Sequence, residues 1–69
     1  MPYVGQIVLV YDSLRSGFDP EHLNPGIITK VHANGNVNVK VFSDVAPAYD
    51  AEDIGYEVFS AERYCKSVA

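Results

Sequence analysis

The sequence predicts an all-β fold, one small barrel of five strands, and three observations lead there. The chain has 69 residues, enough for one domain. Segments rich in Gly, Pro, Ser, Asp and Asn cut it into short apolar runs of strand length. One stretch, residues 26–42, alternates apolar and polar residues on both sides of Ala33-Asn34-Gly35, the pattern of a β-hairpin. A chain this short buries only about 60% of its unfolded surface. Closing one sheet on itself gives nearly every strand an inward face, which suits so thin a core.

The first strand is expected over Gln6 to Tyr11. Ile7, Leu9 and Tyr11 share one face and Val8 and Val10 the other. A strand apolar on both faces is usually covered on both, and Ile7 and Leu9 are assigned to the core. A long first loop follows, Asp12 to Pro25, pinned by Leu14, Phe18 and Leu23. Within it Asp19-Pro20-Glu21-His22 could open one helical turn, with Asp19 as its cap.

The hairpin admits a register argument. A two-residue turn at Asn34-Gly35 would mix charged and apolar residues on both faces. A three-residue turn, Ala33-Asn34-Gly35 with Gly35 left-handed, pairs Val31 with Val37, Thr29 with Val39 and Ile27 with Val41. His32, Lys30 and Ile28 then oppose Asn36, Asn38 and Lys40. A slip of one residue flips every side chain, so the register with one clean face is preferred.

Ser43 to Asp53 reads as a second loop, Ile54 to Phe59 as the fourth strand, Ser60-Ala61-Glu62 as a tight turn capped by Ser60, and Arg63-Tyr64-Cys65 as the closing strand. The expected core is Ile7, Leu9, Ile27, Val31, Val37, Val39, Val41 and Val58.

Composition narrows the function. Nine acids face five bases, a net charge of −4, which argues against general nucleic-acid binding. The longest apolar run, Ile7 to Tyr11, is far short of a bilayer span. No secretion signal is expected from Met1-Pro2-Tyr3-Val4-Gly5. A single cysteine, Cys65, makes neither an internal disulfide nor a thiolate-rich zinc site, and points to a reducing cytoplasm, or to a virion assembled in one.

The order of parts resembles an SH3-like barrel: strand, long loop, central hairpin, second loop, strand, short turn, closing strand. The segments Val4-Gly5-Gln6-Ile7-Val8-Leu9-Val10, Gly26-Ile27-Ile28-Thr29-Lys30-Val31 and Asn36-Val37-Asn38-Val39-Lys40-Val41-Phe42 resemble short uncharacterised tailed-bacteriophage proteins, in which a VG-x-IV start precedes an IVTKV strand and an NL-x-VF strand. The resemblance covers Val4 to about Asp44. It implies a phage accessory or structural protein in the host cytoplasm or the virion, and it implies no chemistry.

No phosphate loop, serine elbow, paired-His motif or cofactor motif occurs, so no enzyme and no cofactor is expected. His32 reads as a solvated turn residue; His22 could orient Ser13 or Ser16, but a loop histidine is the plainer reading. Asp50, Glu52 and Asp53 lack the EF-hand spacing, leaving a solvated acidic loop, with a weak cation site or an acidic contact surface as the alternatives. Cys65 reads as a small buried hydrophobe. Five Tyr and three Phe exceed what a thin core needs. Tyr49, Tyr56, Phe18 and Tyr3, beside the loops, either plug the barrel ends or form a peptide-binding surface rimmed by Asp50, Glu52 and Asp53. The expected function is a non-enzymatic protein-interaction module that binds a host or virion protein. The alternatives are a virion structural protein, in capsid decoration or head-to-tail contact, and a nucleic-acid binder using Lys30, Lys40, His32, Asn36 and Asn38 in the manner of KOW or chromodomain-like barrels.

Overall fold

A computed structural model describes residues 1–16, 22–44 and 47–68. Strand β1 is Ile7–Asp12, followed by one helical turn, α1, Ser13–Ser16. Then come β2, Asn24–Val31; β3, Val37–Val41; β4, Tyr49–Tyr56; and β5, Arg63–Ser67. They form a closed five-stranded barrel in sequence order, consistent with an SH3-like barrel. β1 pairs antiparallel with both β2 and β5. The barrel closes through a short parallel pairing of β4 with β5, Gly55 to Tyr64 and Tyr56 to Cys65. Phe18 and the Asp19-Pro20-Glu21 cap lie outside the described residues.

The hairpin turn has the expected three residues. His32 N donates to Asn36 O at 2.8 Å, Gly35 N donates to His32 O at 3.0 Å, and Gly35 has φ +91°. Asn34 Oδ1 accepts from Asn36 N at 3.0 Å, a side chain mimicking the backbone of a turn. Val31 faces Val37 and Lys30 faces Asn38, as the turn dictates. The next pair is Ile28 with Val39, so Thr29 is an extra residue in β2. This bulge reverses the facing of everything before it. Ile28 enters the core, Gly26 faces Val41, and Ile27 turns outward opposite Lys40. The expected pairs Thr29–Val39, Ile28–Lys40 and Ile27–Val41 are therefore corrected.

The core consists of Val8, Val10, Ile28, Val37, Val39, Val41, Ala51, Ile54 and Cys65. Val37, Val39 and Val41 are as expected. In β1 the buried face is Val8 and Val10, because both of its faces are apolar and alternation cannot choose between them. Ile7 is 48% exposed and Leu9 half-buried, so neither fills the lumen. The bulge turns Ile27 outward, and Val31, at the hairpin end of β2, is 36% exposed although it faces the buried Val37.

β4 starts earlier than expected and takes in Tyr49 to Asp53. Val37 pairs with Ile54 and Val39 with Ala51, so β4 carries one residue more than β3 over this stretch. Asp53, at φ +55°, absorbs it. The strand ends at Tyr56, and the next residue, Glu57, also left-handed at φ +57°, turns Val58 and Phe59 out of the sheet. Val58 is 67% exposed and is no core residue. The tight turn is present, with Ser60 Oγ accepting from Glu62 N at 3.1 Å. Leu14 pins nothing, being 89% exposed on α1.

Candidate functional site

The tyrosines expected to form one surface lie at opposite ends of β4. Tyr56 is half-buried at one end, where its hydroxyl accepts from Gln6 Nε2 at 2.9 Å. Gln6 Oε1 in turn accepts from Tyr3 N at 3.2 Å. Gln6 is buried, so this amide ties the N-terminal turn to β4 and leaves the Tyr3 ring 62% exposed above it. Tyr49, half-buried at the other end, donates its hydroxyl to Asp12 Oδ2 at 3.2 Å. Asp12 is itself buried, and its Oδ1 accepts from Leu14 N at 3.0 Å, which caps α1. Structure thus joins Tyr3 to Tyr56 and separates both from Tyr49.

The acidic residues interlock with the hairpin's polar face. Asn38 Oδ1 accepts from Asp53 N at 2.9 Å and lies 2.8 Å from His32 Nε2. An amide oxygen only accepts, so His32 Nε2 carries the hydrogen. Asn36 Nδ2 donates to Asp53 Oδ1 at 3.0 Å. Lys40 Nζ is 3.7 Å from Asp50 Oδ1, and Arg63 donates to the backbone oxygen of Glu52 at 3.4 Å. His32, Asn36 and Asn38 therefore hold the bulge of β4, and the exposed positive charge of Lys40 is answered by Asp50. Of the face expected to meet nucleic acid, Lys30 remains exposed. His22 Nε2 lies 3.1 Å from Asp44 Oδ1, and Ser13 N donates to Glu62 O.

Two features escaped the sequence reading. The first is a ladder of rings. Tyr11 and Tyr64, paired across β1 and β5, have centroids 5.6 Å apart, and Phe59 meets Tyr64 edge-on at 5.0 Å. Tyr11 is buried, Tyr64 half-buried and Phe59 70% exposed, so the ladder runs from interior to solvent. The second is the outer face of β1. Ile7 pairs with Ile27, and Leu9 with Pro25 on one side and Lys66 on the other. The signal for it was present in the two apolar faces of β1.

Cys65 is fully buried. Burial, and then the charge of nearby Glu57, push its thiol up from 9.0 to about 11, so it stays protonated at neutral pH. Among the described residues no cluster of three or more His, Cys, Asp or Glu is arranged to hold a metal ion, and no helix is long and apolar enough to cross a membrane. No family model, curated protein or solved structure matches the chain.

Proposed function

We propose that this chain is a non-enzymatic protein-interaction module. One observation carries the reading: the outer face of β1 and its neighbours is apolar, with Ile7, Pro25 and Phe42 exposed and Leu9 and Ile27 half-buried. Ile7, Ile27, Leu9 and Pro25 adjoin one another by register, with Phe42 beside Pro25 through its N–H to Pro25 O at 2.9 Å. Contiguous apolar surface of this kind marks docking sites on small soluble domains. The resemblance to tailed-phage proteins makes a host or virion protein the class of partner.

The test compares baits. The wild-type chain and an Ala33→Asp control, altered at the exposed hairpin tip, should capture the same partner, and Ile7→Asp should lose it. Equal capture by all three would overturn the reading. Assaying purified virions for the protein separates an adaptor from a structural role, since many copies per particle would favour the latter.

A further inference from the structure

The side-chain amide of an asparagine can be attacked by the backbone nitrogen of the next residue, and the chain's four asparagines differ sharply in their openness to it. Asn24 is buried and precedes Pro25, whose nitrogen has no hydrogen to lose. Asn36 and Asn38 precede Val37 and Val39, fully buried in β3 and paired with β2 on one side and β4 on the other. Their amides are also engaged, Asn36 Nδ2 with Asp53 Oδ1, and Asn38 Oδ1 with His32 Nε2 and Asp53 N. Asn34 is different in each respect. It is exposed at the hairpin tip and precedes Gly35, and nothing lies within 4 Å of the place a Gly35 Cβ would take.

We propose that Asn34 is a site of spontaneous deamidation in the folded chain, with Gly35 N as nucleophile and water as co-reactant. The Gly35 N–H, released from His32 O, loses its proton to hydroxide, and the nitrogen bonds to Asn34 Cγ. Attack within one dipeptide needs no encounter. Negative charge gathers on Oδ1, where the Asn36 N–H already donates at 3.0 Å, as an oxyanion donor does. The Cγ–Nδ2 bond then breaks, and Nδ2 takes a proton from water and leaves as ammonia. A succinimide ring remains, and water adds at either of its carbonyls. Opening at Cγ gives aspartate. Opening at the former peptide carbonyl gives isoaspartate, whose main chain runs through Cβ and Cγ. In sum, water enters and ammonia departs, with no change of oxidation state.

The products differ in what they do to the turn. Aspartate keeps the main chain as it was and keeps an oxygen for Asn36 N. Isoaspartate lengthens the main chain inside the turn, where His32 N meets Asn36 O at 2.8 Å and Gly35 N meets His32 O at 3.0 Å. His32 and Asn36 also bond Asn38 and Asp53 through their side chains. Isoaspartate at this position therefore loosens the hairpin from the bulge of β4.

The test incubates the folded chain in warm, mildly alkaline buffer beside a free peptide of residues 32–38, and follows both by peptide mapping and enzymatic isoaspartyl methylation. The peptide gives the rate without the fold. Asn34 should convert in the folded chain, faster at higher pH, while Asn24, Asn36 and Asn38 stay intact. Asn34→Gln, which would need a larger ring, should give no product at this position. Gly35→Ala should slow conversion at least several-fold, because a methyl group crowds the attacking nitrogen, and it should keep the native circular dichroism. Asn34 intact in the folded chain when the peptide is fully converted overturns the site, as does conversion spread over the other asparagines. A Gly35→Ala rate equal to wild type overturns the nucleophile. The isoaspartyl chain, separated chromatographically, should melt below Asn34→Asp, and equal melting temperatures would overturn the lengthened turn.

Discussion

Gly26 lies so close to Val39 that a Cβ built on it would come within 2.5 Å of Val39 Cγ1 and 2.9 Å of the Lys40 carbonyl oxygen. Real Cβ atoms do not approach this closely, and one of the two neighbours is backbone. The bulge at Thr29 is what aims Gly26 into the barrel, so this absent side chain sets how near β2 can approach β3. Gly26→Ala should cost about 1–3 kcal/mol by overpacking, read from denaturant midpoints. A variant as stable as wild type would show that the strands separate freely here.

Val39 packs between Ile28 and Ala51 on neighbouring strands and is fully buried. Val39→Asp should unfold the chain, because an unpaired charge in a core this thin outweighs a total stability on the order of 5 kcal/mol. Native circular dichroism in that variant would refute the core assignment.

Gly35 needs its left-handed backbone to close the hairpin, and open space surrounds its Cα. Gly35→Val should therefore destabilise through backbone strain alone, by about 1 kcal/mol or more. Gly35→Asn should be milder, since Asn tolerates this region. Equal losses for the two would point to a cause other than φ.

The Tyr49 hydroxyl serves the buried Asp12 carboxylate. Tyr49→Phe should cost about 1–2 kcal/mol, from a lost hydrogen bond to a charged acceptor. In the Asp12→Asn background the same change should cost less, which a double-mutant cycle measures. Purely additive losses would mean that the two side chains do not act together.

Cys65 gives an alkaline signature. Burial in the folded chain raises its thiol from the ordinary value of 9.0, which applies once the chain is unfolded, to about 11. The folded state thus holds its proton longer. Stability from this group is intact below pH 9, falls between pH 9 and 11, and is gone above. The full loss is on the order of 2–3 kcal/mol. Cys65→Ala should be less stable at pH 7 but show a shallower decline from pH 9 to 11. Parallel slopes in the two proteins would contradict the assignment.

Much of the fold was legible because turn chemistry is local. Asn34 and Gly35 specify their turn whatever surrounds them, and pairing counted outward from it holds as far as Lys30. It fails at Thr29, since a bulge answers to packing across the barrel and leaves no mark in a run such as Gly26-Ile27-Ile28-Thr29. β4 was hidden for a related reason. It needs just two inward apolar residues, Ala51 and Ile54, and their spacing is broken by Asp53. The site was less legible than the fold. Tyr3 and Tyr56 do share one end, but only the structure shows that Gln6 joins them, that Tyr49 is elsewhere, and that Ile7 and Leu9 look outward.

The pairing of β1 with β5 has a kinetic consequence. Val10 and Cys65 are partners 55 positions apart, whereas Val31 and Val37 are partners across a turn of a few residues. Closing the longer loop costs roughly 2 kcal/mol more chain entropy than closing the hairpin. Folding should begin at the hairpin and finish when the two end strands meet. Ile-to-Val or Val-to-Ala changes should then slow refolding when made at Val37 or Ile28, and mainly hasten unfolding when made at Val10. Stopped-flow chevrons of these variants would show the difference, and a refolding rate as sensitive at Val10 as at Val37 would place strand closure before the barrier.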